Sequence, residues 1–138
     1  MNTPYFLNLA LDTLFDQRDI WIGLTANVPA DGSITAEEPS GSGTGYARVK
    51  LTGLSPAAGG VKTNSADLSF PESLGTWGAE PMRSYLAFDA AEPGSGNLLF
   101  FGRLKNSSGA DCERYVEGEM VQLTIPAGSI QLELTDGN

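Results

Sequence analysis

The chain opens on apolar residues spaced three and four apart and then changes period. Leu7, Leu11, Leu14 and Phe15 fall on one helical face, and Phe6 with Ala10 widens it. Thr3 ahead of Pro4 supplies the start: the hydroxyl caps free backbone N–H groups, and Pro in the first turn has no N–H to lose. The spacing predicts a helix over Pro4–Phe15. So broad an apolar face needs cover, either from the domain's own sheet or from a neighbouring subunit.

From Asp19 the period is two. Ile20, Ile22 and Leu24 point one way and Trp21, Gly23 and Thr25 the other, which predicts the first strand. Ala26 to Thr44 is loop by composition, with Pro29, Asp31-Gly32, Pro39 and a glycine-rich run. A loop of this length in a small domain is usually functional or mobile. Tyr46–Leu51 resumes as strand and Pro56–Gly60 breaks it. Ala66, Leu68 and Phe70 alternate with Asp67 and Ser69 until Pro71 ends the run.

The stretch from Ala66 to Leu104 organises the rest. Its two strongest runs are Met82–Asp89, where Ser84, Leu86 and Phe88 oppose Tyr85 and Ala87, and Asn97–Leu104, joined by Pro93-Gly94-Ser95-Gly96. Leu98-Leu99-Phe100-Phe101 is apolar on both faces, the mark of a central strand. Finally Val121, Leu123 and Ile125, a Pro126–Ser129 turn, and Ile130, Leu132 and Leu134 read as a closing hairpin. Short strands between Gly and Pro turns, with one leading helix, predict a mainly β domain. The expected fold is an antiparallel β-sandwich, jelly-roll or Ig-like, of about seven or eight strands, forming one domain over residues 1–138.

Length supports this: 138 residues bury roughly two thirds of the surface the unfolded chain exposes, enough for a core without staples. The single cysteine, Cys112, excludes an internal disulfide framework, so an intracellular or virion-assembled protein is expected. Seventeen acidic against eight basic side chains give a net charge of -9, with the cations scattered singly. Nucleic acid and anionic membranes are therefore poor partners. No apolar run approaches the roughly 20 residues of a membrane span. Tyr5–Phe15 lacks a preceding positive charge and contains Asp12, so it is read as structure and not as a signal peptide.

Catalytic chemistry finds little to stand on. The absence of histidine removes Ser-His and Cys-His nucleophile pairs and the usual zinc sites. Cys112 sits between Asp111 and Glu113, which disfavour its thiolate. The Gly41–Gly45 run lacks the Gly-Lys-Ser/Thr ending of a phosphate loop, and Asp111, Glu113, Glu117 and Glu119 lack calcium-loop spacing. Asn106-Ser107-Ser108 matches a glycosylation acceptor without a secretory context. Trp21, Trp77 and Tyr85 suit a core or subunit interface, or stacking on sugars if exposed in a row.

The run Glu38-Pro39-Ser40-Gly41, closed by Gly45-Tyr46-Ala47-Arg48-Val49, resembles the E-x-S-G-G-G-Y-A-R signature of a family of small tailed-bacteriophage virion proteins, often labelled tail-fibre-like. Further motifs follow in that family's order: Asn64-Ser65-Ala66, Phe70-Pro71-Glu72, Thr76-Trp77-Gly78, Phe88-Asp89-Ala90, Gly96-Asn97-Leu98-Leu99 and Gly102-Arg103-Leu104. The longer Ser40–Gly45 loop and the acidic stretch Asp111–Glu119 depart from the pattern. The resemblance implies a virion structural protein without catalytic residues or cofactors, assembled in the bacterial host cytoplasm. Its partners would be other phage virion proteins, either the major capsid protein or tail proteins.

No repeat or heptad suggests a fibre shaft. The expectation is therefore a head decoration or cement protein, bound as a dimer or trimer to the outer capsid surface. The alternative is a tail or tail-fibre-associated component contributing to host attachment by glycan or receptor binding. Candidate interface residues are Leu7, Leu11 and Phe15 on the helix, with Trp21, Trp77 and Tyr85.

Overall fold

The structure, a computed structural model, describes residues 3–15 and 18–133. Helix α1 spans Pro4–Phe15, and Thr3 caps it by accepting the Phe6 N–H on Oγ1 at 3.2 Å. Eight strands follow: β1 (Trp21–Thr25), β2 (Val49–Lys50), β3 (Val61–Thr63), β4 (Leu68–Ser69), β5 (Ser84–Phe88), β6 (Leu98–Arg103), β7 (Thr124–Ile125) and β8 (Gln131–Glu133). Every pairing between them is antiparallel. Among the described residues the chain is mainly β with one helix, as its periodicity predicts.

One sheet has the order β2-β1-β5-β6. Its two inner strands are buried nearly throughout, because both faces are covered. Ile22, Leu24, Tyr85, Ala87 and Phe100 share one face by register, and it meets the C-terminal strands, where Tyr85 Oη accepts the Gln131 N–H at 3.3 Å. Gly23, Leu86 and Phe88 lie on the other. The chain returning from the long loop closes over this side, with the Arg48 guanidinium 3.6 Å above the Phe88 ring.

The second layer is a ribbon in which residues 61–77 run against 116–133. Val61 faces Glu133 and Leu68 faces Ile125, and beyond the strands Phe70, Ser73 and Trp77 donate their N–H groups to the carbonyls of Leu123, Val121 and Val116. Between the two paired stretches, residues 64–67 oppose the longer segment 126–130. Buried Asn64 fills that irregularity. Its amide donates to the Ala66 and Pro126 carbonyls, and its Oδ1 accepts the Ile130 N–H. Leu11, Ile20, Ile22, Leu24, Phe70, Trp77, Ile125, Ile130 and Leu132 belong to one core between the layers, an open sandwich and not a closed barrel.

Two sequence expectations need correction. The Val121–Leu134 segment is not a hairpin: β7 pairs with β4 and β8 with β3, so the Pro126–Ser129 turn is a step within one edge of the ribbon. Alternation on both sides of a turn is the same whether the chain reverses or continues. Leu134 lies outside the described residues. Nor is Leu98–Phe101 central, since β6 closes one end of its sheet among the described residues, and the inner strands are β1 and β5. Its apolar character on two faces reflects a different arrangement. Phe100 packs edge-on against Phe15 of α1 and near Tyr85, while Leu99 stays exposed.

Candidate functional site

The residues of the glycine-rich signature converge on a buried polar cluster. Glu38 accepts from Arg48 Nη2 at 2.6 Å and from Nε at 3.1 Å, with the Arg48 side chain 1% and the Glu38 side chain 7% exposed. Arg48 Nη1 donates to the Ala90 and Ser95 carbonyls at 2.7 and 2.9 Å, tying in the 89–97 turn. Tyr46 donates its hydroxyl to Glu38 and accepts the Leu24 N–H. Burial, reinforced by the Glu38 carboxylate, pushes the Tyr46 phenol far above its ordinary range, so it remains a donor.

Gly23 makes the cluster possible. A Cβ there would come within 2.5 Å of a Glu38 oxygen and 2.8 Å of the Tyr46 hydroxyl. Four of the five Arg48 guanidinium N–H groups donate to protein groups, so the cluster fastens the loop to the strand beneath it and to the neighbouring turn.

The other motifs are likewise internal fastenings. Asp89 accepts both the backbone and side-chain N–H of Asn97, closing the turn at Gly96. Trp77 donates Nε1–H to the Thr44 carbonyl at 2.8 Å and meets the Tyr46 ring edge-on at 5.2 Å. Gly102 faces Tyr85 across the β5/β6 pair and leaves room for its ring, whose hydroxyl would lie 2.6 Å from a Cβ.

The sequence-derived interface residues separate into two groups. Leu11, Trp77 and Tyr85 are buried in the chain's own core. Leu7, Phe15 and Trp21 are half-buried. Leu11 and Phe15 meet at a groove of about 330 Å³ with Leu14, Phe100 and Leu132. Trp77 instead lines a cleft of about 380 Å³ between the 37–44 loop and the 76–82 corner, beside Glu37 and Glu80. Apolar residues that periodicity did not single out as interface, Tyr5 and Leu9, are exposed on α1 together with Phe6 and Leu14. A signal was available: Asp12 is the helix's one charged residue and Asn8 and Thr13 its uncharged polar ones, too few to clothe a whole outer face.

Residues 7–133 match the family described as Podophage GP4 fiber I protein gp80. The chain belongs to that family. No curated protein matches it. The matched span contains all eight strands and α1 from Leu7 onward, so the shared fibre-protein pattern covers the sandwich with its signature cluster. Membership in this fibre family makes the chain a structural component of the phage virion.

The remaining chemistry of this fibre-family chain is dispersed. Asp111 accepts from Lys105 at 2.5 Å and faces Arg103 at 3.7 Å, and these cations hold its carboxyl below the usual range. Glu113 pairs with Arg83 at 3.0 Å. Among the described residues, no three His, Cys, Asp or Glu side chains are grouped to hold a metal ion, and no helix is long and apolar enough to cross a membrane. Cys112 is a half-buried free thiol.

Proposed function

We propose that this chain is a non-enzymatic, tail-fibre-associated component of the virion, acting as a homo-oligomer, dimer or trimer, against other virion proteins. The observation that carries this reading is the fibre-family match across residues 7–133. The internal use of the signature residues agrees with it: Glu38, Tyr46 and Arg48 fasten a scaffold and leave no reactive group presented to a substrate. The cleft beside Glu37, Trp77 and Glu80 is the place where a host-surface glycan or receptor would be contacted.

Head decoration is the second reading. It is favoured by one observation: the described residues form an open sandwich with a single 12-residue helix and show no elongated repeat of a shaft. Assembly in the host cytoplasm applies to either role. Immunogold electron microscopy of intact particles, with antibody to the purified chain, separates the two. Labelling at the tail is expected, and labelling spread over the head would overturn the tail reading in favour of decoration.

A further inference from the structure

One end of the ribbon displays a methionine where glycine would be less strained. Met120 has a φ of 64°, in the left-handed region that L side chains enter at a cost, yet its side chain is 77% exposed. The backbone around it is held fast. Its N–H donates to the Ser73 carbonyl at 2.7 Å, and the buried Ser73 hydroxyl accepts the Val121 N–H at 3.0 Å and donates to the Gly118 carbonyl at 2.6 Å. Leu74, next to Ser73, is 67% exposed and donates its N–H to the Thr44 carbonyl at 2.8 Å. Ser73 and Trp77 turn inward, as do Val116, Val121 and Leu123 on the opposing stretch, which leaves Leu74 and Met120 on the outer side of neighbouring segments.

We propose that Leu74 and Met120 form the docking surface for a basic virion protein, which receives them in an apolar pocket with a cationic rim. The proposal rests on the virion reading above and adds to it a surface and the charge of a partner. Charge complementarity selects that partner. Glu72, Glu117 and Glu119 are exposed on the same two segments, and none forms an ion pair with a described Lys or Arg. Residues 63–82 and 115–133 contain no Lys or Arg, and the nearest cations in sequence, Arg83 and Arg114, flank the far end at the Met82–Arg114 bridge. A second copy of this chain would bring its own carboxylates and few cations to meet them. Its Arg48, Lys50, Lys62, Arg83, Arg103 and Lys105 are already paired with acids of their own chain.

The side-chain chemistry fits this use. Methionine is unbranched and polarizable, so it adapts to a pocket that a stiffer side chain would clash with. Because the hydrogen bonds of Ser73 and Thr44 fix the backbone beforehand, docking has only side chains left to order. The surrounding carboxylates steer a basic surface into register and turn anionic ones away. Their pull reaches about 8 Å at physiological ionic strength, so docking weakens as salt is added.

Carbodiimide coupling on intact purified particles tests this, because it joins a carboxylate to a lysine amine only where the two are in contact. Cross-linked peptides from Glu72, Glu117 or Glu119 to a lysine of a different virion protein are expected. Links from these three to a second copy overturn the choice of partner. Links to virion proteins only from elsewhere on the chain overturn the surface and leave the virion reading standing. Absence of the chain from the particles rejects both. Phage carrying Met120→Gly should hold at least about tenfold fewer copies per particle by quantitative immunoblot. The purified variant should unfold in urea at or above the wild-type midpoint, because glycine adopts this φ freely. Glu117→Lys combined with Glu119→Lys serves as the second variant and should lower occupancy in the same way. Occupancy unchanged in both variants overturns the surface.

Discussion

At the residue scale, the Glu38–Arg48 pair is the point where the chain has most to lose. Both side chains are buried, and Arg48 also satisfies two carbonyls of the neighbouring turn, so its charge has no route to water if Glu38 is removed. Breaking one partner of such a pair generally costs about 3–5 kcal/mol. Glu38→Ala should therefore lower stability by about 3 kcal/mol or more in urea unfolding, whereas Glu37→Ala, one position away and exposed, should leave the midpoint within about 0.5 kcal/mol. Equal effects at the two positions would show that the cluster does not hold the loop. The sequence revealed Glu38, Tyr46 and Arg48 as a motif but not as a unit. Their connection depends on Gly23, which lies in a distant strand and is legible only once β1 is placed beneath the loop.

At the element scale, the extents of α1 and β1 were legible from period alone, since Pro4–Phe15 is helical and Trp21–Thr25 extended, although α1 leaves Phe6 and Leu14 of its predicted apolar face exposed. What was not legible is which strand meets which. β3 escaped notice because Lys62, polar by sequence, is fully buried there against Asp12 and the Ser55 carbonyl. That same lysine makes helix docking sensitive to acid. The Lys62 hydrogen bond, with help from the Ala57 N–H, holds the Asp12 carboxyl below its ordinary value of 3.8.

A carboxyl so depressed binds its proton more weakly in the folded chain than in the unfolded one. Its contribution is present above the unfolded value and fades as pH falls through the folded one. Stability measured by urea titration should thus decline from pH 5 toward about pH 2, with part of that acid slope missing in Asp12→Asn. An identical slope in the variant would remove Asp12 from the account.

At the scale of the whole molecule, charge works against the self-association proposed above. The net -9 opposes association of identical copies. Adding salt should consequently tighten self-association. From about 20 to 300 mM NaCl the dissociation constant should fall several-fold, as screening shortens the reach of repulsion to below about 10 Å. A constant that instead rises with salt would mean that ion pairs bridge the copies.

The ribbon has a consequence for synthesis. Phe70 forms its backbone bond with Leu123, and Val61 waits for Glu133, so this layer joins segments far apart along the chain. At translation rates of about 5–20 residues per second, the earlier segment emerges roughly 3–14 s before its partner. During that interval the nascent chain carries the apolar Leu68 and Phe70 with their hydrogen-bonding edge unmatched. Birth on the ribosome is therefore a stage at which this chain is open to aggregation through that edge.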